Sequence, residues 1–326
     1  MIKNICWWLR AAGLTAGVAV SMTGLAQTYP DKPIKWVVPY PPGGTTDVVA
    51  RSIAQAMGER LGAAIVIENK AGAAGVIGMQ AVAKAAPDGY TFLVSDASLA
   101  TAPSLNKQLS FDPLKDLQAV FLFVTVPHVV LVSPTSGLQT LDDLLARAKQ
   151  QPQALNFASG GIGSPLHLAG EALRTSTGSQ WVHVPYKGGG PAIVAVMSGD
   201  AQLVTPSLPS VMGHIQSGKL KALAVTSAVR LNSLPSVPSV AELGYPGAAS
   251  IGWIGLHAPT GLPASISAKV EAAARVVMVD SSMTKRLREQ GADLAVDPSA
   301  EAYATFVASE AKRWEAIVKA AGIQAE

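Results

Sequence analysis

Apolar and polar positions along the chain change period several times. Ile34 to Val38 is a short β-branched run, and Asp47 to Leu61 then places Val48, Ile53, Ala54, Met57 and Leu61 near helical spacing. Ala64 to Ile67 predicts a second strand, a helix follows through Ala86, and Tyr90 to Val94 predicts a third strand. Phe111 to Val132 contains a long apolar run read as a crossover. Beyond it the pattern resumes with a helix from Thr140, a strand over Leu155 to Ala158, a helix from Leu166 to Thr175 and a strand from Trp181 to Val184. A helix to Met197 follows, then strands over Leu220 to Thr226 and Ile251 to Leu256. Helices over 268–279, 282–290 and 299–321 fill the tail and are expected to pack on the first half. Strand–helix alternation of this kind implies α/β architecture with parallel sheets covered by helices on both faces. Two cores are expected, and with them two α/β lobes.

The turns that join these elements carry the candidate chemistry. Pro41-Pro42-Gly43-Gly44-Thr45-Thr46-Asp47 links a strand to a helix. Gly43 and Gly44 are expected at positive φ, and Thr45, Thr46 and Asp47 are residues that favour helix starts. The first-turn N–H groups would then face an anion, with the helix dipole assisting. A tight turn with no ligand is the plainer alternative. Glycine-rich turns recur at Gly72 to Gly78, Ser159 to Pro165 and Tyr186 to Pro191, and Ser95-Asp96-Ala97-Ser98 is a polar turn after a strand. Carboxyl ends of strands are where open α/β sheets bind ligands. No Gly-Lys-Ser/Thr ending marks a P-loop, and no Gly-x-Gly-x-x-Gly marks a dinucleotide site.

Composition narrows the setting. Lys3 and Arg10, an apolar run from Ala11 to Val20 and Gly24-Leu25-Ala26 read as a signal peptide over 1–26, with an uncleaved anchor as the alternative. Cleavage after Ala26 removes Cys6, the one cysteine, so neither a disulfide framework nor a thiolate metal site is expected. His128, His167, His183, His214 and His257 lack zinc-ligand spacing, and no cofactor is expected. The net charge of +3 loses two positive charges with the leader, which leaves no footprint for nucleic acid or an acidic membrane.

Tyr29-Pro30-Asp31-Lys32-Pro33-Ile34, the Pro-Pro-Gly-Gly-x-x-Asp turn at 41–47, Glu68-Asn69-Lys70, Pro87-Asp88-Gly89-Tyr90-Thr91, Val184-Pro185-Tyr186-Lys187-Gly188, Ser217-Gly218-Lys219-Leu220 and Leu223-Ala224-Val225-Thr226 run through the whole mature chain in order. In these motifs the chain resembles the substrate-binding proteins of tripartite tricarboxylate transporters, the Bug receptor family. The resemblance implies a type II periplasmic binding protein, with a ligand cleft between two α/β lobes at 27–132 plus 251–326 and at 133–250. It further implies capture of a small carboxylate, a di- or tricarboxylate or an aromatic acid, by a monomeric periplasmic receptor. The receptor would deliver it to a permease of one large and one small membrane subunit. Carried over by motif, the ligand-binding residues are Pro42, Gly43, Gly44, Thr45, Thr46 and Asp47 from the first lobe. From the second they are Ser159, Gly160, Gly163, Ser164, Tyr186, Lys187, Gly188 and Gly189. Where the family often reads Gly-Gln-Val-Asp, this chain has Gly199-Asp200-Ala201-Gln202, which argues against an amino-acid ligand if Gln202 meets it.

Two other classes compete. Ser159 or Ser164 with His167 and Glu171 could be drawn as a hydrolase triad, although Ser164 is better placed as a helix cap and no Gly-x-Ser-x-Gly elbow is present. A solute sensor for a signalling membrane protein would need the same two lobes. Lys187 could supply a point charge or lie on the cleft lip in solvent.

Overall fold

The computed structural model describes residues 29–106 and 108–322, so the leader expected over 1–26 lies outside them. In chain order the strands are β1 Ile34–Val38, β2 Ile65–Asn69, β3 Thr91–Ser95, β4 Leu117–Pro127, β5 Val129–Val132, β6 Asn156–Ser159, β7 Val182–Pro185, β8 Leu203–Val204, β9 Lys221–Val225, β10 Ile251–Pro259 and β11 Asp293–Leu294. The helices are α1 Thr45–Leu61, α2 Val76–Ala83, α3 Ser98–Leu105, α4 Pro113–Asp116, α5 Leu141–Gln150, α6 Pro165–Thr177, α7 Gly189–Ser198, α8 Met212–Gln216, α9 Ala264–Val279, α10 Ser281–Glu289 and α11 Ala300–Ala321. They build a six-stranded sheet in the order β11-β4-β10-β3-β1-β2 and a five-stranded sheet in the order β7-β6-β8-β5-β9.

Both sheets are mixed, which corrects the all-parallel expectation. Strands β1, β2 and β3 are mutually parallel, and β6 is parallel to β7 and β8. Apart from the short edge strand β11, which is antiparallel to β4, the exceptions have a common cause. β5 and β10 receive the chain as it crosses between sheets, so they run away from the edge to which the other strands lead. β10 is accordingly antiparallel to β3 and β4, and β5 to β8 and β9.

The crossing itself falls at His128. Residues 129–132, expected with the first lobe, pair in the five-stranded sheet. Hydropathy could not mark this step, because β4 and β5 are both buried and their apolar residues run on almost without interruption. Beside it, the return crossing is tied on by hydrogen bonds. His128 N–H donates to Thr226 Oγ1 (3.0 Å), Thr226 N–H to His128 O (2.9 Å) and Ser250 N–H to Thr226 O (3.0 Å).

Each sheet is covered on both faces. Trp36, Phe92, Phe121 and Phe123 pack with Ile53 and Met57 of α1 and Val270 and Val277 of α9. On the opposite face Leu93 and Trp253 pack with Met79 of α2, Leu99 of α3, and Tyr303 and Trp314 of α11, so the tail helices do return to the first sheet. In the second sheet alternate residues of β5 point to opposite faces, Val129 and Leu131 toward α7 and Val130 and Val132 toward α5 and Phe157. Local signals fix the helix ends. Thr140 and Asp143 form a reciprocal capping box on α5, and Gly62, in the left-handed region at φ 77°, closes α1 by donating to Gly58 O.

Candidate functional site

The loop before α1 is stapled from inside. Gly43 takes φ 87° and its N–H donates to Asp47 Oδ2 (3.0 Å). The Asp47 carboxylate also accepts from Arg51 Nε (3.0 Å) and Asn69 Nδ2 (2.9 Å), and Asn69 Nδ2 reaches Tyr40 O (2.9 Å). Burial alone would raise the Asp47 carboxyl, but the bonds from Arg51, Gly43 and Asn69 and the Arg51 charge bring it below its ordinary value. Asp47, placed among the ligand-binding residues by motif, thus has its oxygens engaged within the loop. Asp47→Ala is expected to loosen the Pro41–Thr46 turn and to lower the thermal midpoint, with a loss of about 1–3 kcal/mol for the orphaned donors. An unchanged midpoint would mean the staple holds nothing. Gly44 departs from the sequence reading, since it is extended at φ −77° and ψ 167°. The chain needs only one left-handed residue to turn, and Gly43 supplies it. Among the described residues the N–H groups of Thr45 and Thr46 have no protein acceptor, as expected of a first helical turn open to a cleft.

Behind this turn lies a buried carboxyl, Asp96, whose polar turn the sequence places at the carboxyl end of a strand but which is not among the ligand-binding residues carried over by motif. Asp96 Oδ1 accepts from Tyr40 OH (3.2 Å), Ser98 N–H (3.0 Å) and Ser98 Oγ (2.6 Å), and Oδ2 accepts from Thr46 Oγ1 (3.0 Å). Asp96 is 5% exposed, and burial raises its carboxyl against the lowering effect of those four bonds. The Thr46 hydroxyl hydrogen is therefore directed at Asp96, which leaves the backbone amide as that residue's free donor. The turn expected over 95–98 joins the end of β3 at Ser95 to the start of α3 at Ser98, with Asp96 accepting from the first amide of α3. An acid placed directly after a buried strand was the available signal.

In the second lobe the loop over 159–164 is held by two stacked imidazoles. His167 and His183 lie 3.9 Å apart between ring centroids. His167 Nδ1 accepts from Gly163 N–H (3.0 Å), and His183 Nε2 contacts Ser159 Oγ (2.6 Å), which in turn accepts from Gly161 N–H (3.2 Å). Ser164 caps α6 by accepting from His167 N–H (3.3 Å). This arrangement is no triad. His167 Nδ1 is occupied by a backbone amide, its Nε2 faces Glu171 at 4.0 Å, and Ser159 is fully buried. Gly163 takes φ 77°, and a Cβ there would meet Leu105 Cδ1 of α3 at 2.2 Å. Gly188 approaches Pro41 in the same way, so the two lobes touch through glycine backbone.

Burial holds these rings neutral. It lowers His128 to about 4 and His257 to about 3, and His183 to about 4; burial together with the His183 ring and Arg174 lowers His167 to about 3. An unfolded chain protonates them near their ordinary value of about 6.5, so below that pH it binds more protons than the folded one. Stability is then fullest above 6.5 and falls as the pH drops toward 4. For the two deeply buried rings, His128 and His257, the loss is on the order of 1 kcal/mol per pH unit each. The thermal midpoint is expected to fall throughout that range, and a flat midpoint would show that the rings are already solvated.

Between the lobes these loops enclose a cleft of about 720 Å³ including its mouth. Of the residues carried over by motif, Pro42, Gly44, Thr45, Thr46, Gly160, Ser164 and Gly189 line it. Gly163, Tyr186, Lys187 and Gly188 line an adjoining space of about 1620 Å³ that shares Tyr40, Pro41 and Gly160 with the first. Gly43, Asp47 and Ser159 line neither and support the loops from behind. Tyr40, Asp96, Ser207, Ser210 and Trp253 line the first cleft without having been singled out for it. Trp253 is buried in the core, but its indole Nε1 has no acceptor among the described residues. Gln202 stands apart. Its Oε1 accepts from Asn156 N–H (2.8 Å) and its Nε2 donates to Gly199 O (3.3 Å), both within the second lobe. No cluster of three or more metal-ligating side chains occurs among the described residues.

Known proteins are similar to this chain in sequence and in fold. The family model described as tripartite tricarboxylate transporter family receptor matches residues 49–323. BugT of Bordetella pertussis is 38% identical over 310 residues, which cover 94% of each chain. The periplasmic binding protein BugD superposes with a TM-score of 0.87 at 34% identity, over 91% of this chain and all of the other. An R. palustris protein solved with adipate gives 0.88 at 33% identity over 91% of this chain and 100% of its own. MatC from Rhodopseudomonas palustris, with bound malate, gives 0.84 at 32% over 89% and 100%. These neighbours are solute-binding proteins, and the two mixed sheets are those of the periplasmic binding-protein fold.

Proposed function

Because this chain belongs to the tripartite tricarboxylate transporter receptor family, we propose that it is a periplasmic receptor that captures a small carboxylate and delivers it to a two-subunit membrane permease. In this reading residues 1–26 are removed on export, and the protein performs no catalysis. The solute is a di- or tricarboxylate or an aromatic acid, in keeping with the adipate and malate held by relatives.

One observation carries the reading. The N-termini of α1, α6 and α7 border one cleft from both lobes, and no lysine or arginine lines it. Unpaired amides and helix dipoles can hold a carboxylate there without a salt bridge. Thr45 and Thr46 offer theirs from one side and Gly189 and Gly190 from the other, none with an acceptor among the described residues. Glycine at 160 and 188 supports it as well, because a Cβ at Gly160 would meet the backbone of Gly188 and Gly189 at 3.2 Å and one at Gly188 would meet Pro41 at 3.2 Å.

A thermal-shift screen of mono-, di- and tricarboxylates and aromatic acids, on protein unfolded and refolded to remove carried-over ligand, tests capture directly. A ligand at a hundred times its Kd should add about 2.7 kcal/mol of stability. No stabilisation by any acid at millimolar concentration would overturn the proposal. Lys187 is exposed beside the adjoining space, so Lys187→Ala is expected to weaken binding less than about tenfold, mainly through the association rate at low salt. Abolished binding would mean that a point charge holds the anion.

A further inference from the structure

A cleft built of amide donors for an anion also contains a buried carboxyl of its own. Asp96 lines that cleft, is almost fully buried, and accepts four bonds from three residues of the first lobe, Tyr40, Thr46 and Ser98. No lysine or arginine lines the cleft to compensate it. Three of its four bonds fall on Oδ1 and one on Oδ2. A carboxylate offers about four lone-pair sites, so Oδ2 retains acceptor capacity.

A second carboxylate set against that oxygen would place acceptor against acceptor in a desolvated site, which costs affinity. A group that donates would instead gain a hydrogen bond to it. The hydroxyls of Thr46, Tyr40 and Ser98 cannot serve the ligand as donors here, because their hydrogens are turned to Asp96. Gln202, the residue that argued against an amino group, is bonded within its own lobe and leaves that argument without force.

We propose that Asp96 is the specificity-determining residue of the cleft, and that it selects carboxylates carrying a hydrogen-bond donor, a hydroxyl or an ammonium, near the carboxylate that the helix amides hold. This rests on the reading of the protein as a carboxylate receptor. It turns that broad class into a bipolar one, with a charge that accepts amide bonds at one end and a donor facing Asp96 beside it.

The test uses two series that differ in one substituent. Succinate, malate and aspartate share a four-carbon skeleton, and adipate, 2-hydroxyadipate and 2-aminoadipate share a six-carbon one. Affinities are measured by calorimetry on refolded natural protein and on Asp96→Asn, which keeps the side chain's shape and an acceptor for Tyr40 and Ser98. In the natural protein a substituted acid is expected to bind at least tenfold more tightly than its unsubstituted parent. In Asp96→Asn that ratio is expected to fall toward one, while the unsubstituted acid binds as well as before or better. Preference for the hydroxy acid assigns a hydroxyl, and preference for the amino acid assigns an ammonium. Equal binding across a series, binding confined to unsubstituted acids, or equal weakening of all members in Asp96→Asn overturns the selective role. Absence of binding by every acid overturns the carboxylate reading itself.

Discussion

Gly163→Val is expected to weaken carboxylate binding at least a hundredfold while the protein stays folded. Two effects combine at this position. Its φ of 77° lies in the left-handed region, where an L side chain costs roughly 1–2 kcal/mol and a β-branched one more. A side chain would also project toward Leu105 of α3, whose Cδ1 sits 2.2 Å from the place of the new Cβ. Because Leu105 belongs to the opposite lobe, the overlap opposes approach of the lobes rather than the packing of either. A hundredfold loss corresponds to about 2.7 kcal/mol, which the overlap has to supply, since the backbone strain is present with and without ligand and shows in the melt instead. Calorimetry with the tightest-binding acid from the screen measures the loss, and a melt without ligand checks the fold. In a Gly163→Ala background, Leu105→Ala should recover part of the affinity by removing the overlap while leaving the backbone strain. Normal affinity in Gly163→Val would mean that the lobes do not meet at this point when ligand is bound.

Gly170→Ala is expected to destabilise the second lobe by roughly 2 kcal/mol. Alanine ordinarily stabilises a helix interior by about 1 kcal/mol over glycine, so the predicted sign is opposite to propensity. The reason is Phe157, whose Cζ lies 2.0 Å from a Cβ built at Gly170. Its ring is fully buried, with the ring of His167 on one side at 6.5 Å and those of Trp181 and His183 at 6.2 and 5.6 Å. A close-packed ring has little room to withdraw, and overpacking of this size costs about 3 kcal/mol before the helix gain. Gly213→Ala in α8 is the control, since a Cβ there meets nothing within 4 Å. It should be neutral or slightly stabilising. A Gly170→Ala midpoint at or above that of the natural protein would mean that Phe157 can leave its place.

Features that depend on a few neighbouring residues were legible before the structure. The starts of α6 and α7 follow from Ser164-Pro165 and Gly188 to Pro191, where a cap, a proline or a glycine acts within one turn. The buried strands follow from β-branched runs such as Ile34 to Val38. Strand direction was not legible, because hydropathy is the same for a parallel and an antiparallel buried strand, as β10 beside β3 illustrates. The change of sheet at His128 was hidden for the same reason. Within the site, the glycine turns stood out, but the partners that decide their chemistry did not. Asp47 binds its own loop through Asn69, 22 residues on, and Thr46 is bonded to Asp96 across 50 residues. The stack of His167 on His183 likewise joins α6 to a different strand. Gln202 drew notice as a departure from a family pattern, yet its contacts are with Asn156 of β6 and Gly199 at the end of α7, which no pattern of single residues reveals.

The paired crossing at His128 and Thr226 to Ser250 has a mechanical consequence. A single flexible tether would leave one lobe free to swing and twist about three axes relative to the other. Two segments side by side, cross-linked by the His128, Thr226 and Ser250 backbone, resist twist and leave chiefly one rotation about the line through both. A joint with one soft coordinate has few open arrangements, so bringing the lobes together forfeits little configurational entropy. More of the free energy of the contacts made with a solute would then be retained as affinity, which suits the proposed site of amides and dipoles without a strong ion pair.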